Sequence, residues 1–391
     1  MSKFMNNPFI ISFFLLMTGF FAIPAIGQNI QFKRLNTSNG LSDNLVFDAC
    51  MDKNGVVWVA TGLGLNSYNG NRLTHWHHET DRFCGSREIR NVYADPKNRI
   101  WVLDADGKVI CLSKNRRAFP ISINKKTVNE KVRFMMPDEN GKMYLLIGNA
   151  IYRESIVGQD FEKTGILSDS LIKGPFVQHY LARGSEYLLT GVNKVIHINL
   201  ATGSILRHWT VPSVLAAILM ENGDLLVSTE KNRELFLMDY TTGTIKRNEA
   251  LLKDNLGRPV QGYLRYMFKQ RDGRVFITSG YGGIYIYKPG QDFLENYRHD
   301  PLDQRTISGN NTFKITGNKE GFVFITTRSS GLNYFNAEWY LANTRKIFQE
   351  YGGDKIFDGY IGPVVQEGKG NLWLGAQGGL MEWIKETNKV V

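Results

Sequence analysis

Five arginines and two tyrosines stand where they could grip a sugar. Arg87 and Arg90 lead into one apolar strand, Arg133 begins the next, and Tyr263 and Arg265 lead into a later one. Tyr281 and Arg328 fall in bends between apolar strands. A guanidinium offers a planar fork to a carboxylate or sulfate, and a tyrosine ring offers a face for stacking. Taken singly, each would serve equally well as an ordinary loop residue or as half of an ion pair. What unites them is position, so the elements that carry them decide whether they converge.

Other chemistries are poorly supplied. His75 and His77 in His75-Trp76-His77-His78 share one face of a strand, yet no carboxylate or cysteine at ligand spacing completes a metal site. That segment reads as the outer surface of a sheet. Asp52-Lys53-Asn54-Gly55 resembles half of a calcium loop but lacks the bidentate glutamate that ends one, so it reads as a hairpin turn. The three cysteines, Cys50, Cys84 and Cys111, show no metal spacing and form no closed disulfide set. Cys50 and Cys111 lie on apolar strands and are expected to be buried; Cys84 falls in a loop. No metal and no cofactor are expected. The chain has no Gly-x-Ser-x-Gly elbow, no phosphate loop and no His-Glu-x-x-His. Asp104, Asp106, Glu230 and Asp303 could reach one face, but nothing singles out the carboxylate pair a glycosidase needs. The chain is therefore read as a non-enzyme, with a glycan lyase or hydrolase and a protein-binding scaffold as the alternatives.

The elements that position these residues repeat. Turn residues Gly55, Asn98, Gly141, Gly184, Gly223, Gly273, Gly321 and Gly370 follow one another at 43, 43, 43, 39, 50, 48 and 49 residues. Each turn precedes a strand that is apolar on consecutive residues, such as Val56–Ala60 and Val323–Ile325, the mark of burial on both faces. Trp58, Trp101 and Trp373 hold the same place in that strand and are expected to pack between neighbouring units. A third strand follows a glycine bend, as at Leu65–Tyr68, Val109–Leu112 and Leu332–Phe335, and a more polar fourth strand follows that. A period near 45 with four short strands per unit predicts an all-β fold, a β-propeller of seven or eight blades. Eight units are counted, the last at about 359–391. Ile30–Leu35 looks like a fourth strand without a partner and is expected to close the last blade, which hides both sheet edges. In such a ring the second-to-third loops and the blade-to-blade loops share one face, and all seven candidate residues lie there.

Composition narrows the setting. The 391 residues are 42% hydrophobic and 12% aromatic, too apolar for a disordered chain. The 47 lysines and arginines against 37 acids give a net charge of +10, which slightly favours an acidic ligand. Lys3, the apolar run Phe9–Ile23 and the small residues before Gln28 read as a secretory signal peptide over 1–27. At about 15 residues the run is shorter than a bilayer span. The mature chain, 28–391, is thus expected to be periplasmic or secreted, with no membrane span and no nucleic-acid role.

Leu41-Ser42-Asp43-Asn44, then Met51–Thr61, then Gly64-Leu65-Asn66-Ser67-Tyr68-Asn69-Gly70 resemble the repeat of the two-component regulator propeller family. The likeness returns at Tyr297–Asn310, Gly331–Phe335 and Asn371–Leu380. Such repeats form the periplasmic sensors of hybrid two-component systems in Bacteroidetes-type bacteria. The resemblance implies a sensor of oligosaccharides or glycan fragments, paired propellers of seven blades, and a homodimer in a full-length sensor. In that case the eighth unit begins a second ring. Kinase boxes and a receiver are not found in this sequence, so the expected role is ligand sensing without kinase output of its own.

Overall fold

Asp52 shows why each unit begins with a turn. Its Oδ1 accepts from the backbone N–H groups of Asn54 at 2.9 Å and Val56 at 3.1 Å, while Gly55 takes a φ of 77° that a side chain would resist. Its Oδ2 accepts from Trp58 Nε1 at 3.1 Å and pairs with Arg116 at 2.5 Å. Asp95 repeats the device, accepting from Arg99 N at 2.8 Å and from Trp101 Nε1 at 3.1 Å. One carboxylate thus sets the hairpin and anchors the buried indole of the following strand.

The computed structural model describes residues 30–337 and 361–390, apart from 81, 125, 128–129, 156–159, 169–175, 232, 247–252, 368–370, 377–378 and 385–388. Residues 1–27, read above as a signal peptide, lie outside the described residues. The inner strands of seven successive blades are Val46–Met51, Ile89–Ala94, Val132–Pro137, Phe176–Arg183, Val214–Leu219, Leu264–Lys269 and Thr312–Gly317. Each opens an antiparallel four-stranded sheet, and the third is widened by short strands at Ser122–Ile123 and Lys126–Thr127. The predicted third strands fall almost where expected: Val109–Leu112 matches residue for residue, and the other two extend by one residue as Gly64–Tyr68 and Leu332–Asn336. Among the described residues the helical turns are the short Thr37–Asn39 and His77–Thr80.

The core is seven separate interfaces rather than one centre. Trp58 packs with Ile89, Val92 and Ile100 between the first two blades, and Trp101 packs with Val132 and Met135 between the second and third. Comparable clusters lie between every later pair, the last of them joining Phe324 and Leu332 of the seventh blade to Val46 and Ala49 of the first. Both faces of the second strands are therefore covered by neighbours, which is why consecutive residues there are apolar.

Closure differs from the expectation for the last unit. The N-terminal strand Lys33–Leu35 pairs antiparallel with Leu332–Tyr334, the third strand of the seventh unit, not of the eighth. Lys314 Nζ then reaches Asp48 at 2.7 Å and Thr316 Oγ1 donates to Ala49 O at 2.8 Å, welding seventh blade to first. The ring has seven blades. The sheet at 361–390 has four strands of its own, ending in Lys389–Val390, and takes no part in the closure. The physical reason is that Ile30 and Phe32 fit the interface of blades six and seven, against Ile315, Phe335 and Tyr297.

Candidate functional site

All seven inner strands share one irregularity. Pairing with the second strand shifts after the first residue, between Val46 and Asp48, Ile89 and Asn91, Val132 and Phe134, and likewise in the other four. Such a bulge re-aims a side chain and bends the strand. Second-strand hydroxyls hold it. Thr190, Thr278 and Thr326 accept from the bulge N–H of Gln178 (3.1 Å), Tyr266 (3.1 Å) and Lys314 (2.9 Å). Thr278 also donates to Phe313 O of the next blade at 2.8 Å, and Ser228 to Leu264 O at 2.9 Å.

In six blades the bulge sets one residue at the same place, and of these Phe47, Arg90 and Phe313 line the central channel. Phe47, Arg90, Arg133, Leu215, Arg265 and Phe313 hold this position on blades one, two, three, five, six and seven. Below them the channel widens into a cavity of about 1030 Å³, lined by Asp48, Asn91, Phe134, Gln178, His179, Tyr180, Tyr266, Lys314 and Cys50, and by the hairpins of blades one, two, three and seven. Asp48 accepts from Lys314, from Asn91 Nδ2 at 3.2 Å and from Val92 N at 3.2 Å. Gln178 of blade four reaches past Ala216 of blade five to donate to Met267 O of blade six at 3.3 Å.

Electrostatics inside the channel follow from enclosure. Burial and the Lys314 charge push His179 down to about 3, so its imidazole is neutral. Burial, with Asp48 nearby, pushes the Tyr266 hydroxyl up to about 12. Burial and the carboxylate of Asp48 push the Cys50 thiol well up. Cys50 is half-buried on the channel wall rather than sealed in the core as expected; Cys111 is fully buried.

The seven candidate residues separate into groups. Arg90 lines the cavity, its guanidinium 4.3 Å above the Phe47 ring and paired with Glu88. Arg328 lies 4.8 Å above the Phe313 ring, and Arg265 holds the bulge position of blade six. Tyr266, next to Arg265, packs on Phe313 with ring centroids 5.3 Å apart, so Arg265 and Arg328 flank one pair of rings. Arg133 shares the bulge position but turns to Gly148 O at 3.1 Å. Tyr263 lies under Arg233 at 5.5 Å, Tyr281 is 64% exposed in its loop, and Arg87 is exposed in the loop before the second blade. Sequence reasoning missed Phe47, Phe313, Tyr266 and the Asp48–Lys314 pair. A signal existed: Phe47, Arg90, Arg133, Leu215, Arg265 and Phe313 each lie eight residues before their turn residue.

His75 Nε2 lies 2.8 Å from Gly40 O, and Trp76 packs on Trp58 with ring centroids 5.2 Å apart. Among the described residues no group of three or more histidine, cysteine or acidic side chains could hold a metal. Among them too, no helix is long and apolar enough to cross a membrane.

Residues 40–62 match the family model described as two component regulator propeller. Among curated proteins, none matches the sequence. In fold, the chain is similar to the extracellular domain of a hybrid two component system from B. thetaiotaomicron, at 18% identity and a TM-score of 0.60, over 93% of this chain and 49% of that one. A second such domain from the same organism matches at 15% identity and 0.60, over 91% and 46%. Virginiamycin B lyase from Staphylococcus aureus matches at 13% and 0.59, over 78% of this chain and 98% of the lyase. The chain spans about half the length of the two extracellular domains. The matched repeat at 40–62 falls in the first blade of a seven-bladed ring, so one repeat of this chain is similar to that family's and the fold is that of a β-propeller.

Proposed function

We propose that this propeller is the extracytoplasmic sensing region of a hybrid two-component regulator and that its ligand is an oligosaccharide. The observation that carries the reading is the channel mouth. There, aromatic rings and guanidinium groups from different blades face one opening, as stacking and directed hydrogen bonding to a sugar require. The matched repeat and the likeness to extracellular domains of hybrid two component systems support the setting. In this reading 1–27 is removed near Gln28, the sheet at 361–390 opens a further unit, and kinase output and dimerisation belong to other parts of the sensor.

A lyase of the same fold is the weaker reading. The channel's histidine, His179, is held near 3, far from the value that suits a general base at neutral pH. The test is calorimetry of the chain from Gln28 onward against acidic and neutral oligosaccharides, with a reducing-end assay on each. One class should bind without being cleaved. Absence of heat from every oligosaccharide, with the protein folded, would refute the sensor; new reducing ends would favour the lyase.

A further inference from the structure

The mouth is not uniform around the ring. Blades six, seven, one and two set Arg265, Arg328, Lys314 and Arg90 in one sector: Arg328 lies over Phe313, which packs on Tyr266 beside Arg265, Arg90 lies over Phe47, and Phe47, Arg90, Phe313 and Lys314 line the same cavity. Two carboxylates answer these four cations: Glu88 pairs with Arg90, and Asp48 is taken by Lys314. Arg328 and Arg90 sit over Phe313 and Phe47, their guanidinium carbons 4.8 and 4.3 Å from the ring centroids. Arg265 is the telling member. Its Nη1 is buried and meets no hydrogen-bond acceptor among the described residues. A buried cationic donor without an acceptor is costly, so an acceptor is expected to arrive from outside. Gly280 packs closely on this guanidinium, and a Cβ there would lie 3.2 Å from Arg265 Nη2 and press on the side chain.

We propose that this sector is an anion cradle, in which Arg265, Arg328 and Arg90 hold a carboxylate or sulfate group while Phe47 and Phe313 support the sugar that bears it. The ligand is thereby narrowed to an acidic oligosaccharide, an inference that rests on the sensor reading above. Tyr266, whose ring packs on Phe313 with centroids 5.3 Å apart, brings a neutral phenol to the same sector.

The test uses the chain from Gln28 onward and four probes: inorganic sulfate, trigalacturonate, the methyl ester of trigalacturonate, and a sulfated galactose disaccharide. Trigalacturonate and its ester differ in charge and hardly in shape. The acid or the sulfated sugar should bind, and the ester should bind about ten- to a hundredfold more weakly. Arg265→Met should reduce binding of the charged probe by a similar factor, and Gly280→Ala should do so without removing any charge. Arg72→Met, on the opposite face, should change nothing. Equal binding of acid and ester, unmoved by Arg265→Met, would overturn the cradle while leaving an oligosaccharide sensor intact. Sulfate binding that needs Arg265, without binding of any sugar, would support the cradle and overturn the sensor. No binding of any probe by folded protein would overturn both. Which charged sugar binds distinguishes carboxylate from sulfate.

Discussion

Replacing Phe32 by alanine should unfasten the ring. Phe32 precedes the closing strand and is buried, with its ring centroid 5.3 Å from Phe335 and 6.4 Å from Tyr297, both edge-on. Its backbone N–H donates to Arg305 O at 2.7 Å, and two residues on Arg34 donates to Thr306 O at 3.0 Å through Nε. The side chain therefore sits in a pocket whose walls are fixed from both sides. Walls of that kind collapse little when a ring is removed, so the loss should lie near the middle of the range for phenylalanine to alanine in a core, about 4 kcal/mol. For a domain this large that corresponds to a fall in Tm of roughly 8 to 12 °C. Urea unfolding followed by tryptophan fluorescence reads the same loss as a lower midpoint. Leu302→Ala is the control, because Leu302 is 96% exposed and should shift stability by less than about 0.5 kcal/mol. Equal midpoints for the two variants would mean that residues 30–35 do not close the ring.

Two further outcomes follow from buried charge and burial. Asp52→Ala leaves Arg116 and the Trp58 indole N–H without their shared acceptor, so it should cost about 3 to 5 kcal/mol in the same unfolding measurement. A loss no greater than that of an exposed aspartate would show the pair to be ornamental. His179 has a folded value of about 3 against an unfolded value near 6.5, so the unfolded chain binds the extra proton below neutrality. Stability from this group is present above pH 6.5 and is lost as pH falls toward 3, about 2 kcal/mol of it between pH 7 and 5. His197, also lowered by burial, adds to the same slope. His179→Phe should flatten the curve of midpoint against pH, and an unchanged slope would show that His179 is not the group responsible.

The parts of the fold governed by short-range chemistry were legible in the sequence. Asp52, Asp95 and their turn residues announce hairpins, and the run of apolar residues after each turn announces a strand covered on both sides. Blade number was not legible, because closure is a choice made between distant segments. Gly331–Phe335 and Gly379–Trp383 look alike as partners for residues 30–35, and only the fit of Ile30 and Phe32 between blades six and seven decides. The candidate site was half legible. Arginine positions at the start of inner strands could be seen, but the bulge that aims them depends on Thr190, Thr278 and Thr326 holding backbone groups from an adjoining strand. For the same reason Phe47 and Phe313 do not stand out in the sequence, although they share the bulge position with Arg90 and Arg265.

The claim that the ligand lands in the mouth of the channel is tested most directly by hydrogen–deuterium exchange with and without a bound oligosaccharide. Protection should appear in peptides covering Val46–Met51, Leu264–Lys269 and Thr312–Gly317, and in the loop that carries Arg328. The sheet at 361–390 and the hairpin of Asp52 should exchange as before. Protection confined to 361–390, or to the outer strands of the blades, would place the ligand elsewhere and contradict the account.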